Sequence, residues 1–125
     1  MELTDIYDKN GIDGKENEEA FNKLPVQLKY FISSTQNQII SRVKNKVKEQ
    51  YGEIGLQDLV KTSGFRSVSV NNRHNGVIDS LHLYGCAVDF AKKGIFKDKF
   101  VKLCCNLQLI DSGKCWHVQL KRSEK

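Results

Sequence analysis

The stretch at residues 80–90, Ser-Leu-His-Leu-Tyr-Gly-Cys-Ala-Val-Asp-Phe, is the part of the chain from which the fold and the site can be predicted. It carries a histidine, His82, and an aspartate, Asp89, on either side of Gly85. A second histidine, His117, follows in the run Cys-Trp-His-Val at residues 115–118. Two imidazoles and a carboxylate form a ligand set that zinc accepts, and three protein ligands leave a fourth position open for water. The sequence therefore predicts a catalytic zinc site at His82, Asp89 and His117.

Length and composition indicate a single domain, residues 1–125, of ordinary globular character. The chain has 125 residues, and its charged fraction is 28%, both typical of one soluble domain. No run of about 18 apolar residues is present, which excludes a membrane-spanning helix. The first residues, Met-Glu-Leu-Thr-Asp, lack the basic start and apolar stretch of a signal peptide. We therefore expect synthesis in a cytoplasm, with no export unless another factor releases the protein.

The chain is basic, with a net charge of +5, and the excess lies mainly in residues 42–48 and in the tail at residues 121–122. Clustered cations pair with phosphates in nucleic-acid-binding proteins, and they also suit an anionic polymer such as a bacterial cell wall. A solvated helix face is the simpler interpretation, and charge alone does not separate the three. Nucleic acid is not the expected partner.

The four cysteines are Cys86, Cys104, Cys105 and Cys115. They form no Cys-x-x-Cys pair, so a cysteine-rich zinc knuckle is not indicated. Free thiols are favoured over disulfides in a chain without an export signal. Cys115 lies two residues before a predicted ligand, but we do not expect it to bind metal, on the argument that neighbours in a strand point to opposite faces.

The apolar pattern predicts an α+β fold. Residues 1–22 form a polar lead-in with a short helix near its end. Residues 23–60 form a helical region, in which apolar residues recur at three- and four-residue steps, with a break near Ser33 and a stop at Gly52. Residues 61–120 hold short strands and a helix over residues 95–107. The predicted fold therefore consists of N-terminal helices packed on a small, mostly antiparallel sheet that carries the zinc ligands.

Several residue types at fixed separations resemble the peptidase M15 family. They occur as Ser63-Gly64-Phe65-Arg66-Ser67, then Asn71, then Ser80-x-His82-x-x-Gly85-x-Ala87-x-Asp89, and finally Trp116-His117-Val118. The resemblance covers about residues 61–119, and the first 55 or so residues match no motif of the family. Members are zinc D-alanyl-D-alanine carboxypeptidases and L-alanyl-D-glutamate endopeptidases of peptidoglycan, many of them phage endolysins.

The resemblance implies a role for each matching residue. The three predicted ligands match the family's zinc ligands, Arg66 matches an arginine that holds a substrate carboxylate, and Ser80 matches a serine that lines the site. Tyr84 lies close enough to His82 in sequence to line the pocket as well. The implied protein is a monomeric, phage-type lysin that hydrolyses the stem peptides of peptidoglycan. It would reach the cell wall after release or act from a virion.

One position departs from the family. An acid usually lies three residues before the last histidine and acts as the general base, and here that residue is Lys114. An ammonium group does not accept a proton at neutral pH. Asp111, at the end of the strand before the turn, is the candidate base, and Asp79 is a second option. The alternative is a catalytically weak or inactive relative that keeps the metal and serves in wall binding or in a virion.

Overall fold

The computed structural model describes residues 1–121, so Arg122 of the basic tail lies outside the described residues. Within them, the α-helices are α1 (Gly11–Asn22), α2 (Val26–Asp58) and α3 (Val68–Arg73). The strands are β1 (Lys61–Ser63), β2 (Ala87–Ala91), β3 (Leu107–Asp111) and β4 (Cys115–Leu120), and 3-10 helices span Leu81–Tyr84 and Gly94–Phe96. None of the helices in this part of the chain is both long and apolar enough to cross a membrane.

The four strands form one antiparallel sheet in the order β1-β2-β4-β3. Strand β2 pairs with β4 along its whole length, and Asp89 lies directly opposite His117. Directly opposed residues of an antiparallel pair project from the same face of the sheet. The prediction of an α+β fold with an antiparallel sheet is therefore confirmed, and the register brings two of the predicted ligands side by side.

The two faces of the sheet have different surroundings because side chains alternate along each strand. Val88 and Phe90 lie opposite Val118 and Trp116, and all four belong to the buried core against α2. The helix contributes a row of fully buried residues at helical spacing: Ile39, Val43 and Val47. Asp89 and His117 occupy the intervening positions and therefore project from the other face. The hydrophobic face anchors the sheet, and the opposite face carries the site.

Two details of the predicted secondary structure are wrong. Residues 95–107 do not form a helix, because only Gly94–Phe96 is helical and the chain is irregular up to Leu107. The apolar spacing instead reflects packing, since Phe96 and Phe100 are buried against each other at a centroid distance of 5.1 Å. No break occurs near Ser33, because α2 continues through it. The predicted interruption at Gly52 is present as a single residue with non-helical backbone angles.

Candidate metal centre

The side chains of His82, Asp89 and His117 converge on one point at the sheet face opposite the core. One potential ligand atom from each residue lies within 4.8 Å of the other two. The separations are 3.2 Å from His82 Nε2 to His117 Nδ1, 3.2 Å from His82 Nε2 to Asp89 Oδ2, and 2.9 Å from His117 Nδ1 to Asp89 Oδ1. The structure thus brings together the three residues that the sequence selects from positions up to 35 residues apart.

A capped 3-10 helix fixes the position of His82. The Ser80 hydroxyl accepts a hydrogen bond from the His82 backbone N–H at 3.2 Å, which starts the Leu81–Tyr84 turn. Gly85 ends the turn with a positive φ of 70°, and a side chain there would collide with Ile32. Glycine is required because it adopts this conformation without steric cost.

The backbone also determines which nitrogen of His82 is free. His82 Nδ1 lies 2.8 Å from the Gly64 carbonyl oxygen. A carbonyl can only accept, so Nδ1 carries the proton and Nε2 presents its lone pair to the cluster. Burial lowers the pKa of His82, which is 2% exposed. The ring is therefore held neutral, in the tautomer that a metal requires.

Gln119 determines in the same way which nitrogen of His117 is free. It lies two residues along β4 and therefore on the same face of the strand. Its Oε1 lies 2.8 Å from His117 Nε2, so that nitrogen donates and Nδ1 points to the cluster. Burial lowers the pKa of His117, but its hydrogen bonds to Asp89 and Gln119 outweigh burial, and the net shift is upward. Both ring nitrogens of His117 face acceptor oxygen atoms. This arrangement favours the imidazolium form of His117 when no other cation occupies the cluster.

Asp89 is ionised and is the centre of charge in the cluster. Burial alone would raise the pKa of this carboxyl group, which is 4% exposed, but its close contacts with the His117 and His82 imidazoles hold the pKa well below its usual range. Arg66 adds an ion pair, with its Nη2 nitrogen 3.0 Å from Asp89 Oδ2. A buried carboxylate held in its charged form is the anionic ligand expected of a divalent-cation site.

The donor set fits zinc in both chemistry and spacing. Tetrahedral zinc with bonds of about 2.0–2.1 Å to nitrogen and oxygen places its ligand atoms about 3.3 Å apart. The separation between the two imidazole nitrogens is 3.2 Å, and each nitrogen lies 2.9–3.2 Å from a different oxygen of the Asp89 carboxylate, so all three values come within a few tenths of an ångström of that spacing. The partners of the two imidazoles, the Gly64 carbonyl and the Gln119 amide, supply the outer hydrogen bonds that orient metal-binding histidines. His82, Asp89 and His117 could therefore hold zinc.

Arg66 and Ser80 border a cavity of about 950 Å³ that opens onto the three ligands. This volume lies in the range of small-molecule and peptide sites. Arg66 Nε donates to Ser63 Oγ at 2.9 Å, and Arg66 Nη2 donates to Asp89 Oδ2. A guanidinium has five N–H donors, so donors remain for a further carboxylate.

Asp111 and Tyr84 are not brought into this cavity. Asp111 lies opposite Trp116 in the β3–β4 register, and Ile110 lies opposite His117, so Asp111 projects from the face that does not carry the ligands. Its carboxylate binds Lys92 Nζ at 2.5 Å, and this hydrogen bond lowers the pKa of Asp111. Tyr84 is 54% exposed and does not line the cavity.

The cavity contains residues that sequence reasoning missed or set aside. Lys114 lines it in place of an acid. His74 is exposed and also lines it, with Nε2 2.7 Å from Asp13 Oδ2. Cys115 lines it too, and the reason given against this residue was wrong, because residues two apart in a strand share a face. Counting that period from His117 would have identified both Cys115 and Gln119.

Comparison with known proteins assigns the family. The family model described as Peptidase M15 matches residues 12–119. The match extends well before residue 61, so α1 and α2 are part of the family domain even though they carry no motif that was recognisable in the sequence. No curated protein and no solved structure matches the chain significantly. The family match spans most of the chain, and the chain therefore belongs to the peptidase M15 family.

Proposed function

We propose that this protein is a zinc-dependent peptidase that cleaves the stem peptides of peptidoglycan, by a D,D-carboxypeptidase or an L-alanyl-D-glutamate endopeptidase reaction. The observation that carries the proposal is the convergence of His82, Asp89 and His117 at a cavity that Arg66 also borders. Zinc held there would act as a Lewis acid toward the scissile carbonyl and would activate water for attack.

The protein's own residues would bind and orient the peptide. The free donors of Arg66 suit a peptide carboxylate, which a guanidinium binds through two parallel hydrogen bonds. The ion pair with Asp89 fixes the guanidinium next to the metal ligands, so a carboxylate held by Arg66 would place a neighbouring peptide bond close to them. Ser80 lines the same wall and holds His82 through its backbone. We therefore assign substrate binding to Arg66 and Ser80.

The chain differs from the family pattern at the residue expected to accept the proton. Asp111 remains the proposed base, and in the described conformation it binds Lys92 on the opposite face of the sheet. Its use would require the turn at residues 112–114 to rearrange so that the carboxylate enters the cavity. Lys114 already lines the cavity, and its ammonium group does not accept a proton at neutral pH. This arrangement favours a second candidate function, a catalytically weak relative that binds wall peptides.

We also propose that the protein is a phage-type lysin, which acts on the cell wall as a monomer after its release. The uninterrupted spacing from Arg66 to Asp89 resembles the compact phage endolysins of the family. The net charge of +5 would draw the protein toward an anionic wall polymer, an attraction that weakens with salt. Part of this positive charge lies on α2, where Lys44 and Lys48 are exposed.

Digestion of purified peptidoglycan by zinc-loaded protein, followed by mass spectrometry of the released muropeptides, tests the proposal. We expect new peptide termini that depend on zinc, and the mass difference identifies the bond that is cut. His82→Ala, incubated under the same conditions, is the matched negative control. Protein that binds zinc fully and binds muropeptides but releases nothing would establish the second candidate. Protein that binds no zinc would exclude both.

A further inference from the structure

Lys61 in β1 is a fully buried cation that the proposed reaction does not use. Its side chain is 1% exposed, and burial lowers its pKa to about 8. Lysine is almost never fully buried unless its ammonium group is paired. The surroundings of Lys61 therefore have to supply hydrogen-bond acceptors, and they connect it to the metal centre.

The ammonium group of Lys61 joins the N-terminal segment, residues 1–10, to helix α2. Its Nζ donates to the Asp5 carbonyl oxygen at 2.5 Å and to Gln36 Oε1 at 2.9 Å. The Gln36 amide in turn donates from Nε2 to the carbonyl oxygens of Gly85, at 2.6 Å, and Ala87, at 3.0 Å. These two carbonyls lie between the metal ligands His82 and Asp89 in sequence. We name the Lys61 and Gln36 pair the buried relay.

The same groups enclose Gly64, whose carbonyl sets the tautomer of His82. A β-carbon added to Gly64 would lie 2.4 Å from the Ile6 carbonyl oxygen, 2.5 Å from Gln36 Oε1 and 3.1 Å from Lys61 Cε. The next residue, Phe65, donates its backbone N–H to the Ile6 carbonyl at 2.8 Å. The N-terminal segment and the buried relay therefore leave this peptide little room to shift.

We propose that Lys61 is a positioning residue for the metal centre, acting through Gln36 and the Gly64 peptide on His82. The ammonium fixes the N-terminal segment and α2 against the turn that presents the Gly64 carbonyl. That carbonyl holds the proton of His82 on Nδ1 and leaves Nε2 free. The inference rests on the proposed zinc site, and it makes the motif-free N-terminal half of the chain a structural component of that site.

Lys61→Met tests the proposal because methionine keeps the length and apolar character of the side chain and removes the ammonium group. We expect zinc affinity, measured by competition with a chromophoric chelator, to fall at least about tenfold, the usual effect of losing an outer-shell partner. In the metal-free protein we expect ¹⁵N NMR of the His82 ring to change from the single Nδ1–H tautomer to a mixture. This second measurement does not depend on zinc.

Val47→Ala is the matched control for lost stability. Val47 is a fully buried core residue of α2 and lies about 16 Å from Gln36 along the helix axis, so we expect its truncation to destabilise the fold without disturbing His82. If Lys61→Met does not fold, Gln36→Glu replaces it, since glutamate still accepts from Lys61 but cannot donate to Gly85 and Ala87. A folded relay variant that matches Val47→Ala in zinc affinity and keeps the wild-type His82 tautomer overturns the proposal.

If the wild-type protein binds no zinc, the proposed function fails, and the His82 tautomer in the metal-free protein alone decides the role of Lys61. A tautomer change in the relay variant, absent from Val47→Ala, supports the positioning role in that case. An unchanged tautomer refutes it. The failure of one proposal is thus distinguishable from the failure of the other.

Discussion

Replacement of Asp89 with asparagine removes the negative charge around which the metal centre is arranged. The carboxylate is 4% exposed and accepts from Arg66 at 3.0 Å and His117 at 2.9 Å. Asparagine has nearly the same shape, but it keeps one acceptor oxygen and places an N–H₂ group where the second oxygen was. The variant therefore leaves the Arg66 guanidinium without its counter-charge, while the packing stays the same.

The size of the effect follows from these contacts. Removing one partner of a buried ion pair costs about 3–5 kcal/mol, and a hydrogen bond to a charged group contributes about 1.5–3 kcal/mol. The Arg66 side chain is 14% exposed, so water recovers part of the loss, and the lower end of the range, about 3 kcal/mol, applies. At roughly 4 °C per kcal/mol for a chain of this size, Tm should fall by about 12 °C.

The measurement is thermal and urea unfolding of the metal-free protein in the presence of a chelator. Asp98→Asn is the matched control, because it makes the same chemical change at an exposed position. The pKa of Asp89 is lower in the folded protein than its unfolded value of about 3.9. Its stabilisation is therefore fully present above that pH and is lost as the pH falls toward the depressed folded pKa, so wild type and Asp89→Asn should begin to converge below about pH 4. Equal stability of Asp89→Asn and Asp98→Asn at pH 7 would refute the reasoning.

Three further predictions concern the reaction and the metal. Arg66→Ala should weaken substrate use more than it weakens folding, with a fall in kcat/KM on a stem peptide that corresponds to about 2–5 kcal/mol of lost transition-state binding, and unchanged activity would remove Arg66 from the site. Asp111→Asn should retain zinc and lower turnover roughly 10²- to 10⁴-fold if Asp111 is the base; if the natural protein is inactive and Lys114→Glu gains hydrolysis, the acid has been lost. Zinc affinity, followed by competition titration, should decline as the pH drops through the raised pKa of His117, because protons compete for Nδ1; a pH-independent affinity between pH 5 and 8 would contradict that assignment.

The sequence was sufficient to predict the fold class and the candidate cluster of His82, Asp89 and His117 because both depend largely on local signals. His82 and Asp89 lie in one short motif, and the alternation of Val88 and Phe90 with Asp89 assigns the two sheet faces. The helix predicted over residues 95–107 was wrong for the opposite reason. The spacing of Phe96 and Phe100 matches a helix, but long-range packing places these rings. Phe100 packs on Phe90 and Trp116, and Phe96 packs on Tyr51, contacts that local periodicity does not reveal.

The surroundings of the ligands were less predictable because they come from distant parts of the chain. Gln36 and Lys61 are separated by 25 residues and carry no motif, and the backbone contacts of Asp5 and Ile6 have no signature in the side chains. Asp111 was chosen as base by its nearness in sequence to the missing acid. The strand register, which places Asp111 beside Trp116 and not beside His117, could not be read from the sequence.

Metal analysis of the purified wild-type protein and His82→Ala tests the central claim most directly. Both proteins are exposed to excess zinc, desalted under identical conditions, and assayed for metal by mass spectrometry and for chain concentration by absorbance. The account predicts about one zinc per wild-type chain, and far less in His82→Ala, since two remaining ligands bind weakly. Full zinc occupancy in His82→Ala, or none in the wild type, would contradict the assignment of the site.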